Sequence, residues 1–178
     1  MVIVLSKPEP NNEQISDGVN LLVSILLRYP EIGTVSFDPE EHCLKFKIML
    51  SALPTDDEFL TIKNLIIDSI TAYNMLEGFP SKMRIYELEL SPHGQVGIIN
   101  ISRDIYTISK DEITLLTTLL RDHLTNYLII EMNDTLSEND FQLQEDVIED
   151  MLEKIKYYPK LSQLIGIREE SRILVFNK

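Results

Sequence analysis

From Cys43 to Leu50 the chain reads CLKFKIML, and beyond Pro54 it reads TDDE, Thr55 to Glu58. The first stretch sets Leu44, Phe46 and Ile48 at period two with Lys45 and Lys47 between them. That is the pattern of a strand with one apolar face. The second stretch is a capping box: a threonine hydroxyl and a glutamate three positions on satisfy each other's backbone N–H groups at a helix start. Gly78 and Pro80 close that helix near Leu76 as a C-cap and a breaker. A half-apolar strand followed this closely by a capped helix calls for a fold in which sheet and helix are joined directly and packed on each other.

The flanking sequence extends the pattern. Val2 to Leu5 reads as a strand stopped by Pro8 and Pro10. Ile15, Val19, Leu22, Val23, Leu26 and Leu27 recur at helical spacing from about Glu13 to Arg28, where Tyr29-Pro30 ends the helix. Gly33 to Phe37 pairs with Cys43 to Leu50 around the turn Asp38-Pro-Glu-Glu41, and Met83 to Leu90 is a fourth strand. The order β-α-β-β-α-β is that of a ferredoxin-like unit, which predicts an α+β fold over residues 1–91.

Residues 92–178 read as an extension packed against that unit, or as part of one single domain with it. The extension holds a fifth strand, Gln95 to Ile101, and a helix from the box Ser109-Lys-Asp-Glu112 to about Met132. A second helix, capped by Ser137, runs to about Lys156. A closing hairpin, Leu164 to Ile167 with Arg172 to Phe176, turns through Arg168 to Ser171. Val2 to Leu5 is apolar on both faces, so the second face of the sheet is expected to be covered by the C-terminal half or by a second subunit.

Acids outnumber bases 29 to 16, a net charge of -13. Phosphate backbones are bound by lysine and arginine displacing counterions, so nucleic acid is an unfavoured partner. A sheet that reads RNA also needs exposed aromatics, and the third strand offers only Phe46, between Leu44 and Ile48 on one face. One cysteine excludes an internal disulfide and fits a reduced cytoplasm. MVIVLSKPEP has too short an apolar run for a signal peptide, and no stretch reaches the roughly 18 apolar residues of a membrane span.

Chemical motifs are sparse. His42, His93 and His123 lie far apart, with no zinc spacing. His42 and Cys43, if both on a strand, point to opposite faces. His123 reads as a core or boundary histidine. Glu131 to Glu153 holds nine carboxylates and no lysine or arginine, but Asn139 stands where a calcium loop from Asp134 needs glycine. No phosphate-binding glycine motif is present, and nothing calls for a cofactor or metal.

Three candidate regions remain. Glu145, Asp146, Glu149, Asp150 and Glu153 form an acidic helix ridge, whose functional reading is docking of a basic protein partner. Ser102, Arg103 and Asp104, between a strand end and a capped helix, form a ligand-binding candidate centred on the arginine. His93 with Ser91, Ser102 or Asp104 is the constellation of a small hydrolase or transferase. Against that last reading, Ser91-Pro-His-Gly94 fits a type I turn with His93 toward solvent, and Gly97 marks a bulge or a close approach.

The sequence therefore predicts a non-enzymatic, acidic interaction or regulatory module of the cytoplasm, oligomeric and with a protein partner. The alternatives are a metabolite-sensing domain and an enzyme using His93.

Overall fold

The computed structural model describes residues 2–5, 12–78, 84–131, 136–158 and 161–178. Pro8, Pro10, Pro80, Met83, Met132 and Asp134, used above, lie outside them. The elements are β1 (Val2–Leu5), α1 (Asn12–Arg28), β2 (Thr34–Asp38), β3 (Cys43–Leu50), α2 (Asp56–Leu76), β4 (Ile85–His93), β5 (Val96–Asp104), α3 (Lys110–Leu124), α4 (Glu138–Ile155), β6 (Leu164–Glu169) and β7 (Arg172–Asn177). The class is α+β, with one seven-stranded sheet in the order β1-β7-β6-β2-β3-β5-β4.

The element order is the expected one, but the strand pairing differs. In a ferredoxin-like unit β1 lies beside β3. Here β1 runs parallel to β7 at one edge, β5 separates β3 from β4, and β6 and β7 stand between β2 and β1. Strands from both halves of the chain thus interleave in one sheet, and no cut near residue 91 parts them.

Local signals act where the sequence places them. Thr55 and Glu58 complete their capping box on α2, and Gly78 follows that helix at φ +87°. Ser137, expected only as a cap, forms a second box with Asp140 on α4, whereas the expected Ser109–Glu112 box is half made: Ser109 accepts from the Glu112 N–H, but the Glu112 carboxylate is taken by Arg103. Asp38 Oδ1 closes the β2–β3 turn by accepting from the N–H groups of Glu40 and Glu41 at 3.1 and 3.2 Å.

Two boundaries move. Helix α3 ends at Leu124, short of Met132, in the weak helix formers Thr125-Asn-Tyr127. Beyond it the chain finds backbone partners on β3 instead: Leu128 bridges Leu50, and the Ile129 N–H donates to Met49 C=O at 3.0 Å. The β4–β5 hairpin is also tighter than a turn over residues 91–94. Pro92 pairs with Gly97 and His93 with Val96, leaving Gly94-Gln95 as a two-residue turn with Gly94 at φ +64°. Proline is tolerated there because β4 is a sheet edge. Gly97 is a close approach and the register shift lies elsewhere, between Ile85 and Glu87. A Cβ on Gly97 would sit 3.1 Å from Leu90 Cδ1 and 3.2 Å from Leu53 Cδ2.

One face of the sheet carries the core. Val35, Phe37, Leu44, Phe46, Ile48, Leu88, Ile99, Ile101, Leu164 and Val175 are buried beneath the helix layer. Helix α1 sits close on it because Gly166 has no side chain; a Cβ there would meet Leu26 Cδ1 at 3.1 Å and Leu22 Cβ at 3.3 Å. Helix α4 packs on α1, and α3 lies between α2 and α4.

The C-terminal half does not cover the second face. Its strands join the sheet sideways and its helices join the layer already there, so among the described residues that face has no helix on it. Register lays two rows across it: Ile3, Leu174, Ile167, Thr34, Lys47, Asn100, Glu89, and Phe176, Ile165, Ser36, Lys45, Ser102, Glu87. The chemistry is graded strand by strand, from apolar on β1, β7 and β6, through hydroxyls on β2, to lysines on β3 and glutamates on β4.

Candidate functional site

Where α1 ends, Tyr29 N–H still donates to Ile25 C=O at 2.9 Å, and Ile32 N–H turns back to Tyr29 C=O at 3.1 Å. The turn carries Pro30 and Glu31 to the mouth of a cleft of about 440 Å³, lined by Leu27, Arg28, Pro30, Glu31, Arg121, Ile130, Glu131, Phe141 and Arg168. That volume falls in the range of small-molecule sites. Three of the six arginines of this acidic chain converge here.

Each arginine is held differently. Arg28 donates to Glu145 at 2.8 Å and stacks 5.1 Å from the rings of Tyr29 and Phe141. Arg121 reaches from α3, half exposed, and its Nε donates to Glu31 Oε1 at 2.8 Å. Arg168 is fixed by backbone pairing to Gly33 at 2.9 Å and donates through Nη2 to Leu26 C=O. Burial pulls its guanidinium below the ordinary arginine value, with the carboxylates of Glu131 and Glu31 acting the other way.

Two buried polar atoms on residues that line this cleft have no hydrogen-bond partner, Glu31 Oε2 and Arg168 Nε. Buried polar atoms are nearly always satisfied, because leaving one dry costs about 1–3 kcal/mol.

The residues singled out from the sequence lie elsewhere. Arg103 is 1% exposed, at the end of β5, and its five donor hydrogens have partners within the protein. Nε and Nη2 clasp Glu112 at 2.5 and 2.7 Å, Nη1 donates to Arg84 C=O at 3.0 Å and to Asp104, and Nη2 reaches Thr107 Oγ1 at 3.2 Å. Asp104 in turn accepts from Arg84 N–H at 2.8 Å and Thr107 N–H at 2.9 Å. This buried network ties β4, β5 and α3 together and leaves Arg103 no donor for a ligand. Ser102, on the opposite face, lies 3.4 Å from Glu87.

The acidic ridge is internally paired over much of its length. Glu145 belongs to Arg28, with Lys110 at 3.7 Å; Asp150 meets Lys154 at 3.2 Å, Glu153 meets Lys156 at 2.6 Å, and Asp146 accepts from Gln142 at 2.9 Å. Glu149 is exposed and lines a shallow groove with Tyr106 and Lys110. His93 is exposed at the hairpin tip, and Ser91 accepts from Asn100 at 3.0 Å. His123 is exposed rather than at a core boundary, in a groove with Glu58 and Tyr127.

His42 is not on the strand: it takes φ 51° in the turn and lies 5.8 Å from the Tyr106 ring. Burial pushes the Cys43 thiol up to about 11, so it is not a thiolate at neutral pH. Asp38, Glu41 and Cys43 cluster within 4.8 Å, but Lys45 Nζ already sits 2.8 Å from Asp38 and 3.4 Å from Glu41. The lysine occupies the position a cation would take.

Sequence reasoning did not find Arg28, Glu31, Arg121 or Arg168. The one available signal was arginine at element ends, which alone also describes ordinary surface residues.

Fold and site together define a single-sheet α+β protein with its helices on one face and an arginine-rich cleft at the C-terminal end of α1. Comparison with models of known families, with curated proteins and with experimental structures finds no match for the chain. No described helix is long and apolar enough to cross a membrane.

Proposed function

We propose that this protein is a small-molecule-binding module of the cytoplasm, with the cleft at the end of α1 as its ligand site. The observation that carries the reading is the cleft itself, about 440 Å³, walled by Leu27, Pro30, Ile130 and Phe141 and flanked by the charged side chains Arg28, Arg121, Glu131 and Arg168. Apolar walls with a few convergent polar groups are the usual composition of a ligand site.

A thermal-shift screen across amino acids, nucleotides, sugar phosphates and short carboxylic acids tests it. A ligand at a hundred times its Kd adds about 2.7 kcal/mol. For a chain of this size that raises Tm by roughly 5–10 °C. A flat response to every class sinks the reading.

An oligomeric interaction module is the second reading, and a different observation favours it. Ile3, Leu174, Ile167, Phe176 and Ile165 make one apolar patch on the helix-free sheet face. A second copy is the occupant that fits: a two-fold axis lays patch on patch and leaves the lysine and glutamate stripes in water. We expect a dimer mass by light scattering at about 50 μM, a concentration chosen to populate weak complexes, and a monomer for Ile167→Asp. A wild-type monomer at that concentration refutes it.

A further inference from the structure

The cleft does not present its two signs of charge equally. Its lining carries three arginines against two glutamates, and Glu145, which pairs with Arg28, is not part of that lining. Arg121 donates through Nε and Nη2 to Glu31 Oε1; the arginine side chain is 52% exposed and the glutamate side chain 0%. From that pair an incoming molecule meets the guanidinium, only two of whose five donor hydrogens are taken, and not the carboxylate. Arg168 forms no ion pair among the described residues, and its side chain gives one hydrogen bond, to Leu26 C=O. Glu131 is the one lining carboxylate that is exposed. A cation entering here therefore finds one carboxylate among three guanidinium groups, whereas an anion finds free donors. A second negative charge on the ligand would be set against Glu131.

We infer that the cleft takes a monocarboxylate with an apolar body. Its carboxylate accepts from the exposed guanidinium of Arg121, and the charges of Arg28 and Arg168 on the same lining add to the attraction. Glu31 holds that guanidinium from the buried side. The apolar body lies against Leu27, Pro30, Ile130 and Phe141. The inference rests on the ligand-site reading above and names the sign and class of the ligand.

Ligand-observed NMR titration of the full chain tests this with four probes of similar apolar body. They are hydrocinnamate, its neutral amide hydrocinnamamide, the cation phenylpropylamine, and the dianion phenethyl phosphate. Hydrocinnamate should bind at least about tenfold tighter than the amide or the amine, because hydrogen bonds between charged partners are about twice as strong as neutral ones. It should also bind at least as tightly as the phosphate. Replacing Arg121→Gln together with Glu31→Gln removes both charges of the pair without stranding either. Hydrocinnamate should then weaken about tenfold, with the amide unchanged. The wild-type probe comparison decides the question even if that double variant misfolds. If hydrocinnamamide binds as tightly as hydrocinnamate, or phenethyl phosphate binds more tightly, the monocarboxylate inference is overturned while the ligand-site reading survives. Undiminished hydrocinnamate binding by a folded double variant overturns it as well, since Arg121 is then not the partner. So does absence of hydrocinnamate binding up to about 5 mM, a range that suits a fragment-sized ligand. The ligand-site reading falls separately, only if the thermal-shift screen is also flat.

Discussion

Glu112→Ala lowers stability by about 3–5 kcal/mol, because it strands the Arg103 guanidinium where no water reaches it. Both side chains of this pair are 1% exposed, and Glu112 takes two of the five arginine donors. Losing the carboxylate leaves the positive charge buried with Asp104 as its remaining counter-charge, and the cost is far above that of a surface pair. Urea denaturation followed by far-UV circular dichroism measures it. The network acts as a unit, so the double replacement Arg103→Met with Glu112→Leu should recover much of the loss by removing the charge along with its partner. A Glu112→Ala protein within 1 kcal/mol of wild type, to within about the error of the extrapolation, would show that water or a shifted side chain reaches Arg103. The buried-network description would then fail.

Phe46→Ala is expected to cost a similar amount, about 3–5 kcal/mol, for the opposite physical reason. Phe46 is 1% exposed on the central strand β3, facing the helices, with Val35 and Ile101 as its cross-strand neighbours. Removing the ring leaves a cavity that the sheet, paired on both sides of β3, cannot collapse to fill. The same burial withdraws the one β3 aromatic from any nucleic-acid base. Conversion to leucine should restore most of the stability, and differential scanning calorimetry separates the two variants. If alanine and leucine melt alike, the ring is not packed as described.

These two residues mark the boundary of what was legible. Phe46 was placed from sequence on the face of Leu44 and Ile48, and the structure puts it there, since period two is a property of the strand alone. Arg103 was placed just past a strand ending at Ile101, as a ligand-binding group, whereas β5 runs through it to Asp104 and buries it. Its spacing to Glu112 spans a strand end, a turn and a cap, and no local pattern shows that the chain folds the glutamate back over it. The capping box at Thr55 and the cap at Ser137 were readable for the same reason as Phe46: both partners lie within three residues.

The pairing of β1 illustrates the other side. Its four apolar residues declared a strand and, by their two-sided pattern, suggested burial on both faces. Strand identity was right, but its neighbour is β7, at the far end of the chain. Which edge accepts β1 is decided by the free hydrogen-bonding groups of strands formed elsewhere, and that information does not reside in Val2 to Leu5. The cleft is non-local in the same way. Arg168 donates to Leu26 across 142 positions, and Arg121 to Glu31 across 90.

By itself the sequence determined the elements, their order, the α+β class and the inward face of β3, because periodicity and caps act between residues within one or two turns. The tertiary structure alone decided the strand order, the bare second face, the burial of Arg103 and the meeting of Arg28, Glu31, Arg121 and Arg168. Those depend on contacts between segments far apart in the chain, whose energies no local window of residues contains.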